Sequence, residues 1–419
     1  MSWKTEQPAT VFFCREPQEW PLAPDMLSYT TLREIENCPR CWALSHASYP
    51  DIWEKNGYPQ IPSVPAVVGT TVHRAVALIT RELIETGCQS IEDPRLVQIL
   101  KGHGGWSAIL MSIVDEVLPE ENHNPRLDRW YGILRAKTTS QVSKMRETAQ
   151  NILRRIDLRC SQEGISGESR TGSLGLGSYS EVYLESSDIP FCGRVDLIKV
   201  MEDGCVIVDI KTGHRSIEHE LQVQTYALLW WLDANRNPAR KRATKLGLSY
   251  KTGEVWIEGP SEDELRQLQS KIMQRASRAK TSLTYDPPEA KPALETCSFC
   301  LVRHLCNEYW TETTQNHHLA NGHTLKFVDI EARIDGRHGP RSWDAKVSVA
   351  PGLRHAEAIL VRVEAHLGLL EYCHATNQRI RMLNCNLADA AMDHGEGPKT
   401  IYLNNASEVF IVPIQNNRR

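Results

Sequence analysis

Residues 193–213 read Gly193-Arg194-Val195-Asp196-Leu197-Ile198-Lys199-Val200-Met201-Glu202-Asp203-Gly204-Cys205-Val206-Ile207-Val208-Asp209-Ile210-Lys211-Thr212-Gly213. Apolar, largely β-branched runs flank Glu202-Asp203-Gly204, a tight-turn signal, so an antiparallel hairpin is expected. Side chains alternate along a strand, and Asp209 and Lys211, two apart, must share a face. A two-residue turn sets Asp196 opposite Lys211; a four-residue turn sets it opposite Asp209. Either register puts all three polar groups on one side of the sheet. An odd turn without a bulge separates them.

Two carboxylates and a lysine on an otherwise apolar hairpin are costly to desolvate unless something uses them. Mg²⁺ or Mn²⁺ is a natural user, because a hard cation takes a few carboxylate oxygens and leaves positions for water and phosphate. Such an ion activates the attacking water and offsets charge on a pentacovalent phosphate. Lys211 would hold or deprotonate that water and meet the developing negative charge. The plainer alternative is a surface Asp–Lys ion pair on an edge hairpin. Gln222 and Tyr226, four apart on the next expected helix, face one way and suit contact with a phosphate backbone or with the site. They serve equally as helix surface and core. His73, in the first turn of a helix expected over Val72 to Thr86, offers a nitrogen ligand or a hydrogen-bonded structural group.

Gly69-Thr70-Thr71-Val72-His73, Gly193-Arg194-Val195-Asp196, Val208-Asp209-Ile210-Lys211-Thr212-Gly213 and Gln222 to Tyr226 follow one another along the chain. In that order they resemble the motifs of the RecB-like branch of PD-(D/E)XK nucleases, over roughly residues 27–310. The resemblance implies an α/β core of restriction-endonuclease type, a mixed sheet with helical insertions. It also implies metal ligation by His73, Asp196 and Asp209, catalysis by Asp196, Asp209 and Lys211, and a substrate groove containing Gln222 and Tyr226. Glu181, just upstream of the hairpin, is a weaker candidate for an extra ligand.

Twelve cysteines in a chain without a secretory leader are not a natural disulfide framework. Seven are isolated and read as small apolar residues. Cys38 and Cys41 near the front, and Cys297, Cys300 and Cys306 much later, are grouped. One early Cys before a proline plus a late C-x₂-C-x₅-C resembles the iron–sulfur nuclease modules of AddB and of the CRISPR-adaptation nucleases. That resemblance implies a 4Fe–4S cluster on Cys38, Cys297, Cys300 and Cys306, stapling two distant segments. Cys38-x₂-Cys41 with Cys297-x₂-Cys300 is the zinc alternative, which leaves Cys306 idle.

The remaining chain bounds the rest of the reading. The 419 residues suit two domains: a nuclease domain over 1–315, closed by the cysteines, and a small β domain over 316–419. The second is rich in short alternating segments. An all-β barrel of OB type, binding single strands or a partner, is one reading of it. A net charge of −4 advertises no general nucleic-acid affinity, so phosphate contacts must come from local patches. Arg236, Arg240, Lys241, Arg242 and Lys245 form one, and Lys271, Arg275 and Arg278 another. No stretch is long and apolar enough to span a bilayer, and the expected location is cytoplasmic, with no membrane partner. No Walker-type loop supplies a motor, so any helicase must be a separate partner. The expected function is metal-dependent hydrolysis of DNA; action at ends or in single strands, in recombination, repair or anti-phage defence, is what the resemblance implies. The competing readings are a non-catalytic DNA-binding scaffold and an endonuclease subunit working beside a helicase.

Overall fold

Five strands, β1 (Gly177–Ser186), β2 (Phe191–Val200), β3 (Cys205–Lys211), β4 (Ala243–Tyr250) and β5 (Gly253–Glu258), form one mixed sheet in sequential order. Every neighbour pair is antiparallel except β3–β4. The computed structural model describes residues 8–413 apart from 54–56, 89, 119–123, 128–129, 155–171, 251, 312–326, 351–355, 389–396 and 405.

The β2–β3 turn holds four residues, 201–204, between the paired Val200 and Cys205. Gly204 is required there, because a Cβ would stand 2.4 Å from the carbonyl oxygen of Arg242. One step beyond the last ladder pair, Leu197 with Val208, Asp196 comes opposite Asp209.

A helix over Ile217–Leu232 links β3 to the parallel β4. It is buried on nearly all sides from Val223 to Leu232, as an interior helix should be. It packs on one sheet face with helices over Tyr29–Asn37 and Glu262–Ser282, in a core that includes Phe191, Ile198, Ile207, Leu246, Leu248 and Trp230. Each such fully buried side chain contributes about 1.5–3 kcal/mol. The opposite face carries a helical lobe: Val64–Glu85, Arg95–Gly102, Trp106–Val117, Tyr131–Thr139 and Val142–Leu153, packed on Leu197 and Ile210. In chain order these helices are α1 (Tyr29–Asn37), α2 (Pro39–His46), α3 to α7 (the lobe), α8 (Ile217–Leu232), α9 (Glu262–Ser282) and α10 (Leu294–Cys297).

The helix expected from Val72 begins at Val64. Ser63 caps it through Ala66 N–H, and Pro65 is tolerated in its first turn, where no backbone donor is needed. Gly69 therefore lies inside the helix, facing Thr212. Among the described residues, no helix is long and apolar enough to cross a membrane.

The C-terminal region builds a second sheet from β6 (Val328–Gly339), β7 (Ser342–Val349), β8 (Glu357–Val361), β9 (Arg379–Leu387), β10 (Lys399–Tyr402) and β11 (Glu408–Val412), with α11 (Leu367–Thr376) between β8 and β9. The strands run β10-β8-β7-β6-β9-β11, and β10 also pairs with β9. That extra pairing closes β6-β7-β8-β10-β9 into a ring, with β8 parallel to β10. A five-stranded Greek-key ring with a helix between its third and fourth strands is the topology of an OB-type barrel. The sequence pattern did not foretell α11, whose apolar Leu367–Leu370 run is too short to distinguish helix from strand.

Buried ion pairs join this barrel to the rest. Arg126 Nε lies 2.8 Å from Glu408 Oε1 and Arg303 pairs with Asp329, while Arg381, held by Glu331 within the barrel, donates to the His304 carbonyl oxygen at 2.6 Å. His304, fully buried, stacks on Phe410 at 3.8 Å and meets Tyr58 on its other side. Phe13 bridges to Ile411, so the N-terminal segment also touches the barrel.

Candidate functional site

The strand alternation changes phase at one point. Val182 pairs with Val195 and Ser180 with Leu197, leaving Glu181 and Asp196 opposite each other without a ladder pairing. Val195 and Ile198 both enter the core beneath α8, while Leu197 enters the helical lobe. Glu181 takes the left-handed conformation, φ 55°, which strains a residue carrying a Cβ. Such breaks re-aim side chains next to functional sites.

Here the break brings carboxylates against the middle of α3, at His73. His73 Nε2 lies 2.7 Å from Asp196 Oδ1 and 4.0 Å from Glu181 Oε1. Ligand atoms of His73, Glu181 and Asp196 all fall within 4.8 Å of one another, the one such group of His, Cys, Asp and Glu among the described residues. Glu181 Oε1 is buried without a hydrogen-bond partner. Asp196 is itself fixed by Ile210 N–H, which donates to Oδ2 at 2.6 Å. The hydrogen bond that Asp196 Oδ1 accepts from Nε2 raises the His73 pKa to about 9.

Asp209 stands apart from that group and is turned to Lys211, whose Nζ is 2.6 Å from Oδ2. Burial first, then the Asp196 charge, push Asp209 up to about 7, against the pull of Lys211 and His73. Lys211 Nζ also donates to Gln222 Oε1 at 2.7 Å, and Gln222 Nε2 donates to the Tyr226 hydroxyl at 2.8 Å. Tyr226 is only 7% exposed, its ring lying where a side chain on Gly193 would be. Gln222 and Tyr226 thus form a relay that holds the lysine, and Gln222 alone of the two is half-buried. The rim past Lys211 is open: Thr212, Gly213, His214 and Arg215 are all exposed. Glu181 is the site residue that the sequence signals least, because a strand glutamate carries no mark of the phase break that turns it inward.

All five grouped cysteines line one cavity, together with Leu44, Lys291, Arg303 and Tyr309. Cys38 caps α2, and its Sγ accepts from Cys41 N–H at 3.4 Å and Lys291 N–H at 3.5 Å. Cys41 Sγ is 3.3 Å from Cys300 Sγ. Burial raises the Cys297 and Cys306 thiols to about 11 and about 12, whereas the Cys41 hydrogen bond lowers Cys300. Arg40, one residue past Pro39, forms a bidentate pair with Glu308 and ties the two thiol-bearing segments directly.

The basic patches are differently disposed. Arg236 to Lys245 surround the start of β4, where Ala243 pairs with Cys205 at the far end of β3 from Lys211. Six strand residues separate them, about 20 Å. Arg275 is engaged with Glu36, while Lys271 and Arg278 are exposed.

A family model described as the PD-(D/E)XK nuclease superfamily matches residues 26–307. A solved structure titled "Crystal structure of SSO0001" aligns at 20% identity over 32% of this chain and 61% of its own, with a TM-score of 0.21. The chain thus spans under two thirds of that structure, and so loose an overlap carries no argument. No curated protein matches the chain.

Proposed function

Because the chain belongs to the PD-(D/E)XK nuclease superfamily, whose members are metal-dependent phosphodiester hydrolases, we propose that it cleaves DNA, as an exonuclease on single strands or ends. Recombination, repair and defence against phage are the settings that need this activity. The observation that carries the reading is the convergence of His73, Glu181 and Asp196 beside the Asp209–Lys211 pair. One imidazole and several carboxylate oxygens suit Mg²⁺ or Mn²⁺, and the Glu181 oxygen that no hydrogen bond satisfies suits a cation that it would ligate. His73, Asp196 and Asp209 would hold the ion, with Glu181 as a further ligand. A bound ion supplies Lewis acidity to the phosphate and an activated water. Lys211, steadied by Gln222, holds that water or its proton and meets the charge that grows on the phosphoryl oxygens. A cleavage assay on linear and circular single strands tests the mode. An exonuclease degrades the linear strand and spares the circle; cutting of both at similar rates contradicts it.

We further propose that Cys38, Cys297, Cys300 and Cys306 hold a 4Fe–4S cluster of structural role. The N–H donors on Cys38 Sγ support this thiol as the early ligand, since hydrogen bonds to ligating sulfur are a regular feature of such clusters. Among the described residues, no three thiols fall within 4.8 Å of one another. Four ligands to a single zinc would crowd closer than that, whereas thiolates on four separate irons stand farther apart.

A further inference from the structure

A second imidazole stands beside Lys211, on the side away from His73. Parallel β3 and β4 end together, and Lys211 pairs with Tyr250 in their ladder. Paired residues share a face, and Tyr250 lies in the core beneath α8, so the Lys211 side chain is on that face too. The first turn of α8 holds His219, three residues before Gln222 and on the same helix face. Gln222 reaches Lys211, while His219 Nδ1 lies 2.9 Å from the Tyr250 hydroxyl. That hydroxyl oxygen also takes a backbone hydrogen bond from Ser216, the residue that caps α8. The phenol therefore gives its hydrogen to Nδ1, and the ring's own proton sits on Nε2. Burial, then the charges of Lys211 and Arg33, hold the His219 pKa below its usual value, so the ring is neutral. Nε2 meets no hydrogen-bond partner among the described residues, and the ring is only half-buried. The carboxylates beside it are already engaged: Glu218 accepts from Tyr29 at 2.7 Å and pairs with Arg33, and Glu220 pairs with Arg215.

We propose that His219 is a substrate-binding residue of the nuclease site, whose Nε2–H holds an oxygen of the phosphate next to the scissile one, with Tyr250 as its positioning residue. Across the sheet Glu181 stands on β1, Asp196 on β2, Asp209 and Lys211 on β3, and Tyr250 on β4. The metal-ligating groups therefore lie on one side of Lys211 and His219 on the other, about one strand spacing of 4.8 Å further on. A nucleic-acid strand crossing these strand ends brings its next phosphate there. That phosphate keeps its charge throughout the reaction, so the contact holds ground state and transition state alike. The inference rests on the proposed nuclease activity for the identity of the ligand.

The test pairs steady-state cleavage of labelled oligo-dT in Mn²⁺ with binding of the same strand in EDTA. His219→Ala is expected to raise KM about tenfold with kcat within about twofold, and to weaken binding in EDTA by a similar factor. His219→Gln, which sets an amide N–H near the place of Nε2, is expected to recover most of that loss. Tyr250→Phe keeps the buried ring but not the hydroxyl, and is expected to give an intermediate KM. Substrates carrying one uncharged methylphosphonate identify the ligand. Wild type is expected to cut the linkage beside the substitution about tenfold more slowly, and His219→Ala to show no such further loss. A His219→Ala protein that binds like wild type, loses kcat at unchanged KM, or keeps the full methylphosphonate penalty overturns the proposal. A wild type that binds in EDTA but cuts nothing in Mn²⁺ instead sinks the nuclease reading, and the binding comparison still decides the role of His219.

Discussion

His73 and Asp196 are 123 positions apart in sequence, yet Nε2 and Oδ1 sit 2.7 Å from each other across the junction of α3 and β2. In the metal-free protein that bond keeps His73 protonated at neutral pH, since its pKa is raised to about 9. An imidazolium cannot ligate, so ion binding must expel a proton. Mn²⁺ affinity is therefore expected to rise about tenfold per pH unit from about pH 7, above which Asp209 is already ionised, to about pH 9. Calorimetry in two buffers of different ionisation heat should find about one proton released per ion at pH 7.5. Binding without proton release, or with no pH dependence, contradicts His73 as a ligand.

Lys211→Met is expected to lower the cleavage rate by about 10²- to 10⁴-fold, the range for a lost acid–base group. The melting temperature should hardly move, because the buried Asp209 simply keeps its proton once the lysine is gone. Gln222→Ala breaks the relay without removing the lysine and should cost about tenfold, a smaller loss of the kind seen for groups that orient a functional residue. A Gln222→Ala protein as inactive as Lys211→Met makes the amide itself a reacting group.

Anaerobically purified protein is expected to be brown, with broad absorbance near about 400 nm from thiolate-ligated iron. Cys41→Ser should keep the colour and Cys38→Ser should lose it. Cys306→Ala should lower the melting temperature and open residues 286–310 to protease, because metal sites contribute about 10 kcal/mol or more to small domains. A colourless protein with one zinc per chain is the contrary result.

His304 gives a pH dependence of stability that does not involve the metal site. Burial, then Arg126, Arg303 and Arg381, hold its pKa well below 6.5, so folded His304 stays neutral. Below about pH 6.5 the unfolded chain takes up a proton that the folded one refuses, and stability falls as pH falls, by up to about 1.4 kcal/mol per unit. His304→Phe preserves the stack on Phe410 and should flatten that acid limb in urea titrations. An unchanged limb would falsify this origin.

Much of the core was legible because two-residue periodicity and a turn signal are local. Asp196, Asp209 and Lys211 follow from hairpin parity, and the four residues 201–204 decide between the two registers left open. What was not legible is non-local. The phase break at Glu181 depends on how β1 and β2 distort together, and the buried berth of the Tyr226 ring depends on Gly193, a residue on another element. The start of α3 was missed because Pro65 reads as a breaker unless Ser63 is known to cap. The barrel was legible as short strands, but its closure rests on Ile401 and Tyr402 meeting Leu387 and Asn386, a pairing that no periodicity announces.

The most direct test of the nuclease reading is cleavage of end-labelled single-stranded DNA by the wild type and by Asp209→Asn, with Mn²⁺, Mg²⁺ or EDTA. Wild type should cut with either ion and not in EDTA, and Asp209→Asn should fold, melt near wild type and cut at under about a hundredth of the rate. Cleavage that persists in EDTA, or an Asp209→Asn protein that cuts like wild type, contradicts the reading.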